Sequence, residues 1–119
     1  MHKVFLALTF LATVNGGVIK DDVKIRVNPL VISCALSDPR VWITSTIREH
    51  PDNRFLTIRW ESSDGESGST GYQLDGEASP RVFFVERRVD CSNYTIQSCI
   101  KRRSVKEEIC SLKVLLVGG

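Results

Sequence analysis

The sequence is short of the groups that usually carry chemistry. Of its two histidines, His2 lies at the very start and only His50 remains beyond it. A nucleophilic hydrolase needs a serine or cysteine, a histidine base and an orienting carboxylate, and no GxSxG elbow accompanies the single candidate base. His50 therefore reads as an exposed turn residue. No CxxC pair occurs among the four cysteines, so the spacing expected of a zinc knuckle is missing. No 12-residue EF-hand pattern occurs either. No apolar run reaches the roughly 20 residues that span a bilayer. The formal net charge is only +2, too small to argue for nucleic acid or a membrane surface. No segment keeps a 3.6-residue apolar period, and neither an internal repeat nor a heptad is present.

The amino terminus has the form of an export signal. Met1, His2 and Lys3 make a short basic start, Val4 to Val14 is largely apolar, and Val14, Asn15 and Gly16 supply small residues for cleavage. Residues 1–16 are thus expected to be a leader, and residues 17–119 one domain with a single modest core. No cysteine follows the apolar run to accept a lipid. Cys34, Cys91, Cys99 and Cys110 all lie in the mature part. In an exported domain of this size an even count favours disulfides over metal ligation or a catalytic thiol, which implies a secreted or periplasmic location.

What the rest contains is a period of two. Val23, Ile25 and Val27 alternate with Lys24 and Arg26; Val41, Ile43 and Ile47 oppose Trp42, Thr44 and Thr46; Leu56, Ile58 and Trp60 oppose Phe55, Thr57 and Arg59. Asn28-Pro29 interrupts the first strand, and Leu30 to Ser33 resumes it at a sheet edge, where proline is tolerated. His50 to Asn53 is a strong turn. Glu61 to Gly71, which holds no apolar residue, reads as a long surface loop, with Tyr72 to Leu74 a short edge strand before the Asp75-Gly76 turn. Arg81 to Val89 puts Phe83 and Phe84 on opposite faces. Tyr94 to Lys101 and Glu108 to Val117 form the last two strands, joined by a tip at Arg102 to Lys106. About seven short strands with regular turn signals predict an all-β antiparallel sandwich.

The strand PDNRFLTIRW, the phrase YQLDGEASPRVFFVE and the Tyr-led strand NYTIQSCIKR with its final hairpin resemble an immunoglobulin-like or fibronectin type III-like sandwich. More narrowly, they resemble a group of small exported bacterial proteins without an assigned function. The resemblance spans nearly all of the mature chain, rests on structural motifs and carries over no catalytic residue. Antibody domains join their second and sixth strands by a disulfide, whereas Cys34 precedes the second strand here and alternation sets Cys99 on the outward face of the sixth. Three pairings are open to four cysteines. In a sandwich of this order the first and fifth connections share one end, which would join Cys34 to Cys91 and leave Cys99 to bridge Cys110. Alternation sets Cys110 inward with Leu112 and Val114, so that second bridge would require a bulge.

Candidate chemistry is sparse. Lys101, Arg102, Arg103 and Lys106 form a basic tip at which a phosphate or acidic glycan would dock, although such a run also suits a solvated face. No aromatic interleaves with it as RNA binding would require. Asp64, Glu66, Asp75 and Glu77 lie in or beside turns, where paired carboxylates could serve a glycosidase or bind calcium weakly. Trp42, Phe55 and Phe83 would make a partner or carbohydrate surface if all three faced outward, and core if they did not. Asn93-Tyr94-Thr95 fits the N-glycosylation acceptor pattern. The expectation is a non-catalytic binding or structural module that recognises a protein or glycan outside the cytoplasm through its loops. It would need no cofactor or metal, would bind no nucleic acid, and would have no membrane span in the mature chain. An enzyme inhibitor and a calcium-dependent glycan-binding protein or hydrolase are the alternatives.

Overall fold

The computed structural model describes residues 13–14, 17–19, 22–76 and 80–119, the first two segments as backbone only. The strands are β1 (Thr13–Val14), β2 (Gly17–Ile19), β3 (Val23–Asn28), β4 (Val31–Ile32), β5 (Arg40–Ile47), β6 (Asn53–Ser62), β7 (Ser67–Gln73), β8 (Val82–Arg88), β9 (Tyr94–Arg102), β10 (Ile109–Cys110) and β11 (Val114–Gly118). No α-helix occurs among the described residues, and the strands form two sheets in a sandwich-like arrangement. Most of the predicted leader lies outside the described residues.

The smaller sheet runs β3-β5-β8, all antiparallel. In the larger sheet β9 is central, with β6 and then β7 on one side. On its other side β10 and β11 follow one another along the same edge. β4 adds to β11 in parallel, and β2 adds to β10. Pro29 explains why the first strand is divided. Lacking an N–H it cannot continue the β3 ladder, and the chain crosses to the other sheet as β4.

Alternation builds the core. β5 turns Val41, Ile43, Ser45 and Ile47 inward, and β9 turns Tyr94, Ile96, Ser98, Ile100 and Arg102 inward. The buried side chains fall into two clusters. One gathers around Val41, Ile43, Ile58, Ile96 and Leu116, the other around Val23, Ile47, Leu56, Ile100 and Ile109. Ser45 and Ser98, both 0% exposed, divide the clusters along β5 and β9, and neither hydroxyl has a hydrogen-bond partner among the described residues. At one end the Tyr94 hydroxyl donates to Asp90 Oδ1 at 2.5 Å and accepts from the Asp90 N–H, while the Trp60 ring meets Tyr94 edge-on at 5.8 Å.

The stretch expected to be a long loop is instead mostly strand. β6 continues to Ser62, a tight turn reverses the chain with Gly65 at φ 98°, and β7 pairs with β6 from Ser67 to Gln73. β7 has little apolar character because its neighbour supplies the covering. A Cβ on Gly68 would come within 2.5 Å of the Trp60 ring, and one on Gly71 within 2.5 Å of the Phe55 ring. The two rings lie across the bare backbone of the glycines and take the place of the side chains that period-two reasoning looks for.

The last strand carries the bulge that pairing Cys99 with Cys110 required. Cys110 stands opposite Cys99, but Val114 stands opposite Ile96, so three residues on one strand face two on the other. Ser111 holds the irregularity: its N–H donates to the Ser98 carbonyl at 2.8 Å, its hydroxyl accepts the Ser98 N–H at 3.1 Å, and its carbonyl accepts from Gln97 Nε2 at 2.9 Å. The extra residue reverses the facing of the strand. Ile109 therefore points inward and Cys110 outward, whereas Leu116 is buried and Leu112 and Leu115 are exposed. The inward placement expected of Cys110 and Leu112 is corrected accordingly.

Cys34 is bonded to Cys91 and Cys99 to Cys110, with Cα separations of 5.3 and 4.0 Å. The first bridge ties the β4–β5 connection to the β8–β9 connection; the second ties neighbouring strands. Cys99 faces outward as alternation predicts, yet it is buried, because Cys110 and the Arg59–Glu108 ion pair cover it. Two intramolecular disulfides point to a non-reducing environment. No described helix is long and apolar enough to cross a membrane.

Candidate binding cleft

At the end of the sandwich where β5 passes to β6, β7 leaves the sheet and β9 turns toward β10, three connections enclose a cleft of about 800 Å³. Each is fixed from within. His50 Nδ1 accepts the Asp52 N–H at 3.1 Å, which makes this histidine a turn cap. The Arg103 N–H donates to the Asp52 carbonyl at 2.9 Å and the Ser104 hydroxyl to Asp52 Oδ2 at 2.5 Å, joining the first connection to the third. Gly76, at φ 55°, lies so close to Pro51 that a Cβ would meet the Pro51 carbonyl oxygen at 2.9 Å. That approach locks the second connection to the first.

The basic tip divides under this geometry. Lys101, Arg103 and Lys106 are exposed, but Arg102 is 8% exposed. Its position in β9 shares the inward face with Ile96, Ser98 and Ile100, so its stem enters the core. Its Nε donates to Asn53 Oδ1 at 2.9 Å, and Nη2 lies 2.9 Å from the Asp22 carboxylate. Arg102, expected at the solvated tip, is instead an internal brace that lines the cleft from below. Lys101 Nζ donates to the Lys106 carbonyl at 2.5 Å, which closes the tip on itself and leaves Lys106 away from the lining.

A cation that the sequence does not reveal takes Arg102's place. Arg54 is the extra residue of a bulge between Asn53, which stands opposite Arg102, and Phe55, which stands opposite Lys101. Alternation would turn residue 54 inward beside Leu56; the bulge re-aims it into solvent. Arg54 and Arg103 have no carboxylate within ion-pair distance among the described residues. With Lys101 they give the lining three exposed cations beside the acid Asp75, and Phe55 and Leu74 supply its apolar wall.

The other candidates do not assemble. Asp64 and Glu66 occupy the turn at one end of β7 and Asp75 lies past the other, with a strand roughly 20 Å long between them. Glu77 lies outside the described residues. The Asp64 carboxyl is held below its ordinary range by the Ser62 hydroxyl and then by the Glu66 N–H, which are turn contacts. Glu108 approaches the sulfurs of Cys99 and Cys110, but those sulfurs are bonded to each other and Glu108 to Arg59. Asn93 Oδ1 accepts the Gly118 N–H at 3.0 Å. The aromatic trio is split: Trp42 faces outward from β5, Phe55 outward from the opposite sheet, and Phe83 inward against Tyr72 at 5.0 Å. Phe84, not Phe83, shares the outer face with Trp42.

A scan of protein-family models and a search of curated proteins find no match to this chain.

Proposed function

We propose that the protein is an exported, non-catalytic binding module of immunoglobulin-like design that holds an anionic group of a partner outside the cytoplasm in the cleft between its 50–54, 74–76 and 101–106 segments. The observation that carries the reading is the convergence of Arg54, Lys101 and Arg103 on one concave surface whose loops are tied to one another. Exposed cations held by a rigid frame favour an anion without a large ordering cost. The immunoglobulin-like reading is supported by a first strand shared between the sheets, and by a tyrosine opening the β9 strand whose hydroxyl returns to residue 90. The disulfides support export.

The test is affinity capture from the native envelope and medium, with wild-type protein and an Arg54→Ala/Lys101→Ala/Arg103→Ala variant as baits. The expected result is an acidic partner recovered by the first bait and lost with the second. Recovery of the same partner by both would remove the cleft from the reading.

A further inference from the structure

The outer face of the β3-β5-β8 sheet carries a second surface, on a different part of the molecule from the cleft. Phe84 is 75% exposed and Trp42 51% exposed, and Val82 joins them. Phe84 stands opposite Thr44 and Trp42 opposite Glu86, so the two residues are diagonal neighbours across adjacent strands, their Cα atoms about 7–8 Å apart at that spacing. Both project from regular strand, which fixes their separation. Large rings left in water on rigid backbone mark a contact surface more often than a lone exposed leucine does.

The charges around the rings say what kind of contact. Arg40 and Arg88 are already matched: Arg88 Nε lies 2.5 Å and Arg40 Nε 3.3 Å from the Asp38 carboxylate, and Arg40 also reaches Glu86 at 3.6 Å. Lys24 and Arg26, outward on β3 beside Thr46 and Thr44, have no carboxylate within ion-pair distance among the described residues. The face is thus aromatic with two unmatched positive charges and a row of threonine hydroxyls between them. A second copy of the chain would bring like charges together across a two-fold interface, which disfavours self-association.

From this arrangement we infer that the outer face of β3-β5-β8 binds an extended acidic polysaccharide. The C–H faces of its sugar rings lie on Trp42 and Phe84, and its carboxylates meet Lys24 and Arg26. Rings and charges have separate roles. The aromatics supply affinity for any sugar chain of suitable shape, and the cations select uronic-acid polymers over neutral ones.

Affinity electrophoresis of the disulfide-bonded mature protein in gels containing polygalacturonate, alginate or hyaluronan, with dextran as the neutral polymer, tests this. At least one acidic polymer should retard the wild type more than dextran does. Trp42→Ala/Phe84→Ala should weaken that retardation at least tenfold. Lys24→Gln/Arg26→Gln should abolish the preference for acid over neutral polymer. The cleft variant Arg54→Ala/Lys101→Ala/Arg103→Ala should behave as wild type, which separates this surface from the one proposed above. All substituted side chains are exposed, and unfolding midpoints verify that each variant is folded. The inference is overturned if no acidic polymer retards the protein or if the aromatic variant is retarded as strongly as wild type. It is overturned too if the cleft variant alone loses binding, if single-stranded DNA binds the same face more tightly, or if sedimentation shows a dimer that Trp42→Ala/Phe84→Ala dissolves.

Discussion

Replacing Arg102 by methionine tests the division of the basic tip into brace and rim. Methionine keeps an unbranched apolar stem and loses only the guanidinium. The substitution removes the 2.9 Å bond to Asn53 and the 2.9 Å pair with Asp22. Asn53 is buried, so its Oδ1 loses its partner away from water. The Asp22 side chain is 16% exposed and keeps some access to solvent. A hydrogen bond to a charged group is worth roughly 1.5–3 kcal/mol, and breaking a buried pair from one side costs roughly 3–5 kcal/mol. Because Asp22 rehydrates in part, the expected loss is about 3 kcal/mol. For a domain of this size that lowers the unfolding midpoint by roughly 12–24 °C. Urea unfolding of the oxidised protein, completed by Asp22→Asn in a double-mutant cycle, measures it. The Arg102–Asp22 coupling should be at least about 1 kcal/mol. Lys101→Ala and Arg103→Ala should each stay within about 0.5 kcal/mol of wild type. If Arg102→Met stays within that same range, the guanidinium is not a brace and the division is wrong; if it costs as much in the Asp22→Asn background as in the wild type, the Asp22 pair is no part of the brace.

Ser45→Ala deletes a buried hydroxyl that has no partner, so it is expected to raise stability by about 1 kcal/mol, read as an upward shift in urea midpoint; a loss would show that the hydroxyl is satisfied. Tyr94→Phe should cost about 1–2 kcal/mol near neutral pH through the lost bond to Asp90. Burial, with the Asp90 bond next, raises the Tyr94 pKa, so the stability it contributes is present below the unfolded value of about 10 and lost as pH rises through the higher folded value. Wild-type stability should accordingly fall more steeply above about pH 10 than that of Tyr94→Phe, and parallel curves would refute the assignment. The two disulfides should differ: chain-entropy arguments give about 4 kcal/mol for closing the 57-residue span of Cys34–Cys91 and about 3 kcal/mol for the 11-residue span of Cys99–Cys110. Paired Cys→Ala substitutions followed by denaturant unfolding compare them, and a larger loss for the shorter span would reverse the reasoning.

Much of the fold was legible because burial on one face of a sheet imposes a period of two. Val41, Ile43 and Ile47, and likewise Leu56, Ile58 and Trp60, face inward as their spacing predicts. β7 escaped because its partner strand covers it. Ser67–Gln73 offers no apolar period to read, and the rings that lie on Gly68 and Gly71 belong to residues 60 and 55. A long-range contact of that kind leaves no mark in the local sequence. Phe83 and Phe84 show the same limit in a milder form. Alternation assigns them to opposite faces, and only packing against Tyr72 decides which of them is inside.

The candidate cleft depends on places where the period breaks. Arg102 looks like one of four solvated cations until its strand is followed to its end, where the inward phase that began at Tyr94 still holds and carries the guanidinium to Asp22 and Asn53. Arg54 has the opposite history. Strict alternation from Leu56 turns it inward, and one extra residue in the ladder sends it to the rim. A second phase error, at residues 111–113, sets Cys110 against Cys99 and exposes Leu112. Bulges cost a ladder bond and re-aim a side chain, and the two here place Arg54 in the candidate cleft and Cys110 against Cys99. Deleting Arg54 would restore the β6–β9 register through Asn53 and withdraw a cation from the cleft while leaving both sheets their cores. A chain that folds normally after that deletion, but no longer recovers the proposed acidic partner, would tie recognition to the cation that the bulge presents.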